Sequence, residues 1–97
     1  MDQEFELNGI VFVWSQEKAQ TNLSKHKVAF EQAAEVFFDP FLMVTDASVD
    51  DESRDAIIGL DEHWNLLFVV HVEAEGDRFR IISARRATKP ERKIYES

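Results

Sequence analysis

Apolar and polar positions along the chain change period several times, and each change marks an element. Phe5-Glu6-Leu7 and Ile10 to Trp14 flank Asn8-Gly9. Asn-Gly between apolar runs predicts a β-hairpin, because both residues tolerate positive φ. Ser15 then has the chemistry of a helix N-cap, and Trp14 and Ala19 stand at hydrophobic-staple spacing. This first helix runs to about His26 with a thin apolar stripe of Ala19 and Leu23, which the faces of Asn22 and His26 extend. Phe30, Ala33, Ala34 and Phe37 recur at helical spacing and predict a second helix, ended by Asp39-Pro40.

From Phe41 the pattern is that of strands. The predicted strands are Phe41 to Thr45, Asp55 to Leu60, Trp64 to Val72 and Arg78 to Arg86, with a loop at 48–53 and a turn at 73–77. The nearly continuous apolar run to Val72 fits a central strand covered on both faces. Ala87 or Thr88 opens a short C-terminal helix with Pro90 in its first turn. The order predicts an α+β fold: an N-terminal hairpin, two helices on one face of a largely antiparallel sheet, and a terminal helix. With 97 residues the chain is expected to form one domain, 1–97.

Composition narrows the chemistry. There is no cysteine, so disulfides, thiolate metal sites and thiol nucleophiles are excluded. No Ser sits in a Gly-x-Ser-x-Gly elbow, and the three His show no ligand spacing, so neither a metal nor another cofactor is expected. No apolar run approaches a membrane span, and the acidic start lacks a leader's pattern; a cytoplasmic protein without membrane partners is the expectation.

The net charge of −8 is unevenly placed. Residues 1–77 hold 4 basic and 17 acidic residues, whereas 78–93 hold seven basic residues against Glu91 alone. That basic stripe, with Arg80 and Lys89 in it, is a candidate anion-binding surface. Its alternative is a set of ion pairs with the acidic body. Trp64 is a candidate for stacking on a base. Strand alternation puts Arg80, Ile82, Ala84 and Arg86 on one face and Phe79, Ile81, Ser83 and Arg85 on the other. One guanidinium of the Arg85-Arg86 pair can then face a ligand while its neighbour anchors to an acid. His71, inside the long strand, reads as a core histidine with its ring hydrogen-bonded.

Several segments together resemble the BrnT family, the toxin components of type II toxin–antitoxin modules. They are Trp14, Lys18-Ala19, Asn22, Lys25-His26, Val28, Phe30, Glu31, Ala33, Val36-Phe37, Asp39-Pro40, Arg54, Gly59, Leu66-Leu67, Val69-Val70, Arg80 through Thr88, Glu91-Arg92 and Tyr95. The resemblance implies a RelE-like fold and a metal-independent endoribonuclease acting on RNA. It also implies a ribbon-helix-helix antitoxin of the BrnA type, with DNA contacted only through that partner. By position it points to Lys25, His26, Arg54, Arg85 and Arg86 for activity. In such chemistry His26 exchanges protons with the 2′-hydroxyl or leaving oxygen, and the arginines grip phosphate. An alternative is a catalytically weak module of the same fold that mainly holds the antitoxin. Where the family pattern carries Gly and then Ser between the helices, this chain carries Lys27 and Ala29, and His71 stands where Tyr is common.

Overall fold

A computed structural model of the chain describes residues 1–74 and 76–97; Glu75, in the turn expected at 73–77, lies outside the described residues. Strands β1 (Asp2–Leu7) and β2 (Ile10–Ser15) form the expected hairpin, with Phe5 opposite Phe12. Asn8 and Gly9 both take positive φ, 52° and 83°, as a two-residue turn matching strand twist requires. Helix α1 (Gln16–His26) follows directly, and α2 (Phe30–Glu35) lies after a short turn. Then come β3 (Met43–Asp46), β4 (Asp55–Leu60), β5 (Leu66–Ala74), β6 (Arg78–Arg86) and α3 (Lys89–Glu96).

The six strands form one sheet in the order β1-β2-β6-β5-β4-β3. Among the described residues, β2 and β6 are the one parallel pair, joined at Phe12–Phe79 and Val13–Arg80. Beyond Arg80, no strand among the described residues pairs with that side of β6. The core lies between the sheet and α1–α2: Phe12, Trp14, Ile57, Leu67, Val69, Ile81 and Ala84 meet Val28, Phe30, Ala33, Ala34 and Val36. The Trp14 and Phe30 rings meet edge-on at 5.7 Å. Fully burying a side chain of this kind contributes about 1.5–3 kcal/mol.

The structure departs from the sequence pattern in four places. The second helix becomes a 3₁₀ turn at Val36–Phe38, before the extended Asp39 that proline demands. Phe41 precedes its strand, which starts at Met43. Trp64 is in a turn, and β5 starts at Leu66 and runs on through Glu73 and Ala74, into the turn expected at 73–77. The fourth change concerns register. Val70 faces Ser83 but His71 faces Ile81, so Ile82 is an extra residue. This bulge flips the alternation: Ala84 joins Phe79 and Ile81 toward the core instead of Arg80.

Helix α3 packs on β4 and reaches the opposite face of the sheet. Phe68 alternates with the core residues Leu67 and Val69, and Arg85 stacks over its ring at 4.4 Å. There Glu91 of α3 accepts from both terminal nitrogens of Arg85, at 2.8 and 2.9 Å. Thr88 and Glu91 form a capping box. The Tyr95 hydroxyl donates to Asp39 Oδ2, which also accepts from Leu60 N–H. Burial and that carboxylate push the Tyr95 phenol up to about 12. No helix among the described residues is long and apolar enough to cross a membrane.

Candidate active-site groove

Helix α1 is built to end in cations. Ser15 caps it by accepting from Lys18 N–H, Glu17 sits in its first turn, and Lys25 and His26 occupy the last, where the helix dipole favours positive charge. Lys27 closes the helix in the left-handed region, φ 61°, with its N–H on Leu23 C=O. This is the position at which glycine carries no steric cost. Ala29 stands at the N-cap of α2 and makes no side-chain capping bond. The two departures from the family pattern thus fall on the two capping positions of the turn.

Asn22, one helical turn before His26, fixes α1 to the sheet. Its buried amide bonds the N–H and C=O of Ala84 and the C=O of Val28. The unpaired length of β6 and the exposed side of α1 then enclose a groove of about 310 Å³. Lys18, Thr21, Lys25 and His26 line one wall, and Ile82 and Ser83 the other; among the described residues, Glu17 is the one carboxylate in the lining. An imidazole, two ammonium groups and two hydroxyls around an open channel suit a phosphodiester.

The arginines occupy other places. Arg85 is held by Glu91 on the opposite face, and that bond raises its guanidinium further above its ordinary value. Arg86 is exposed at the end of β6, donating to Asn65 Oδ1 at 2.9 Å. The structure thus separates the two: Arg85 is anchored to an acid, and Arg86 is exposed with its guanidinium on Asn65. Arg54 precedes β4, beside Glu52 at 3.1 Å, with its Nε buried and lacking a hydrogen-bond partner. Arg80 and Arg78 pair across β2 with Asp2 and Glu4, so much of the basic stripe is neutralised within the fold. Lys89 opens α3 and is exposed. None of these lines the Lys25–His26 groove.

A second groove, of about 360 Å³, lies where the β4–β5 turn meets the end of α2. Asp61 organises that turn. Its Oδ1 accepts from the N–H groups of His63 and Asn65, and its Oδ2 from the amides of Gln32 and Asn65. Burial pushes this carboxyl up, but the four bonds outweigh it and hold it below its ordinary value. Trp64 takes φ 67° at the tip and is 81% exposed. A non-glycine residue in that region costs on the order of 1 kcal/mol or more. Glu35, Asp61 and His63 offer ligand atoms within 4.8 Å of one another, a grouping that sequence spacing does not reveal because Glu35 comes from α2. All four lone-pair positions of Asp61 are already committed, so this is a turn scaffold before it is a ligand set.

His71 is buried as expected, its ring edge-on to Phe37 and Phe79, but its Nδ1 has no hydrogen-bond partner.

Residues 14–91 match the family described as "Ribonuclease toxin, BrnT, of type II toxin-antitoxin system". No curated protein matches the sequence. Among solved structures, the fold is similar to the 1.1 Å crystal structure of the Brucella abortus ribonuclease toxin BrnT, with a TM-score of 0.58. That likeness covers 78% of this chain and 94% of the Brucella chain at 20% identity.

Proposed function

Because this chain belongs to the BrnT family of type II toxin–antitoxin ribonuclease toxins, we propose that it is a cytoplasmic endoribonuclease of RelE-like fold. It cuts RNA by 2′-hydroxyl attack without a metal and is silenced by a ribbon-helix-helix antitoxin of the BrnA type. Through that antitoxin alone the pair contacts DNA.

The observation that supports this reading is the groove shared by Lys25, His26 and Ser83. Metal-free cleavage needs a base for the 2′-hydroxyl, cations for the charge that builds on phosphorus, and an acid for the leaving 5′-oxygen. His26 removes the 2′-hydroxyl proton as O2′ bonds to phosphorus. Lys25 and Lys18 stabilise the added charge. The P–O5′ bond breaks and O5′ takes a proton from the imidazolium, leaving a 2′,3′-cyclic phosphate and a 5′-hydroxyl. Arg86 and Lys89, on the far reach of β6 and the start of α3, grip neighbouring phosphates. Arg85 contributes by holding α3 against the sheet, and Arg54 and Arg80 steer the strand through the residual field of their pairs.

The test is purified chain, freed of antitoxin, incubated with RNA in EDTA. Cleavage with cyclic-phosphate ends is expected, reduced about 10²-fold or more by His26→Ala. Intact RNA, or cleavage that needs added metal, would refute it.

One feature favours a second reading. Arg78, Arg80 and Arg85 are already paired with carboxylates and the chain keeps a charge of −8. A module that mainly holds a basic antitoxin would bind it tightly yet leave RNA intact in the same assay.

A further inference from the structure

We propose that the groove lined by Trp64 is a docking site for a basic, apolar-bearing segment of the antitoxin, and not a base-stacking platform for RNA. The proposal rests on the toxin–antitoxin reading above and assigns that partner a place.

Three observations carry it. First, the indole is presented and not stored. Trp64 is 81% exposed on a turn whose geometry is fixed by Asp61, through bonds from His63, Trp64 and Asn65 N–H groups. A large aromatic on a rigid turn is ordered before anything binds, which removes much of the cost of docking. Second, the groove beside it has an apolar floor of Leu7, Phe38, Pro40 and Leu60. Its volume of about 360 Å³ suits one or two inserted side chains. Third, the charge is of one sign: Glu35 and Glu62 join Asp39 and Asp61 in the lining, with no Lys or Arg among the lining residues. Such a rim repels phosphates and attracts Lys or Arg beside an apolar anchor. Arg86 touches the same turn through Asn65 but is not part of the lining. The molecule thus carries a cationic groove at α1 and an anionic one at the β4–β5 turn, suited to partners of opposite charge.

The two tryptophans provide the readout. Trp14 is 1% exposed, so a change in tryptophan emission on binding reports Trp64. The full chain is titrated with a short amphipathic Lys/Leu helical peptide, its Glu/Leu counterpart and a short single-stranded RNA. The Lys/Leu peptide alone is expected to shift emission to the blue, with affinity falling as salt rises. Glu35→Gln with Glu62→Gln, which keeps the oxygen that accepts from Glu62 N–H, is expected to weaken it roughly tenfold. Trp64→Ala, followed by anisotropy of labelled peptide, is expected to lose at least roughly tenfold. An RNA-induced shift, no shift with the Lys/Leu peptide, or affinity unmoved by both variants overturns the proposal. RNA cleavage by the unaltered chain, assayed in parallel, judges the toxin reading separately.

Discussion

Asn22 serves Ala84 as a substitute strand. Its Oδ1 accepts the Ala84 N–H at 3.0 Å and its Nδ2 donates to the Ala84 C=O at 2.8 Å, with a further bond of 2.9 Å to Val28 C=O. The parallel β2–β6 pairing stops short of this point, and a buried backbone edge without partners is costly. One side chain settles that cost and fixes the angle at which α1 delivers Lys25 and His26. Asn22→Ala strands three buried backbone groups, so unfolding in urea should show a loss of about 3 kcal/mol. Asn22→Asp, which turns a carboxylate oxygen toward two carbonyls, should be worse at neutral pH and partly restored by acid.

Arg85 and Arg86, neighbours in sequence, should separate cleanly by assay. Arg85 has a bidentate bond to Glu91 and a ring beneath it, and Glu91 also caps α3. Arg85→Ala should lower stability by about 1–2 kcal/mol, and Arg85→Lys should restore little of it because an ammonium cannot span both oxygens. Arg86→Ala should leave the melting temperature unchanged while weakening RNA binding and flattening its salt dependence. Equal thermal losses in the two variants would contradict this division.

Local chemistry made much of the fold readable. Asn8-Gly9, the Ser15 cap, Asp39-Pro40 and the Thr88 capping position each mark an element boundary that the structure keeps. The bulge at Ile82 was not readable, because nothing in Arg80-Ile81-Ile82-Ser83 breaks alternation; the extra residue is set by where β5 and α1 meet the strand. Trp64 looked like the start of a strand because an apolar run continues from it, whereas Asp61 decides its conformation through side-chain bonds. For the candidate site, the family resemblance pointed to Lys25 and His26, whose place at the helix end by itself reads as dipole-favoured capping. Their neighbours Thr21 and Ser83 carried no such signal, since the groove exists only where β2 stops and α1 takes over.

The turn that carries His26 can be made more stable than it is. Lys27 holds φ 61° with a β-carbon present, and Ala29 caps α2 with no acceptor. Lys27→Gly relieves the first, with a gain of up to about 1 kcal/mol, and Ala29→Ser supplies a cap worth about 1 kcal/mol. The positions lie at separate caps, so the gains should add to a close approximation in urea titrations. If the turn's shape limits activity, the double variant should also cut RNA faster than the parent. A rise in stability with no change in rate would assign the strain to folding alone.

Acid sensitivity should have two steps, and His71 should own the first. Burial lowers its imidazole below the ordinary value of 6.5, against the pull of Asp55 and Glu73, so the folded chain holds it neutral. The unfolded chain takes up that proton at higher pH than the folded chain does. Its contribution is therefore complete above about 6.5 and declines as pH falls toward the lowered folded value. Asp39 and Asp61 behave in the same sense at lower pH. Burial raises both, but the bonds from Tyr95, Leu60 and Phe41 on one, and from Gln32, Asn65 and His63 on the other, outweigh it and hold them low. Their stabilisation is lost only as those carboxylates protonate. Replacing His71 with Leu, of similar volume and apolar toward Phe37 and Phe79, should erase the first step and leave the second. Urea midpoints measured from neutrality down to about pH 5 check this; a parent and variant that fall together over that range would show that another group sets the transition.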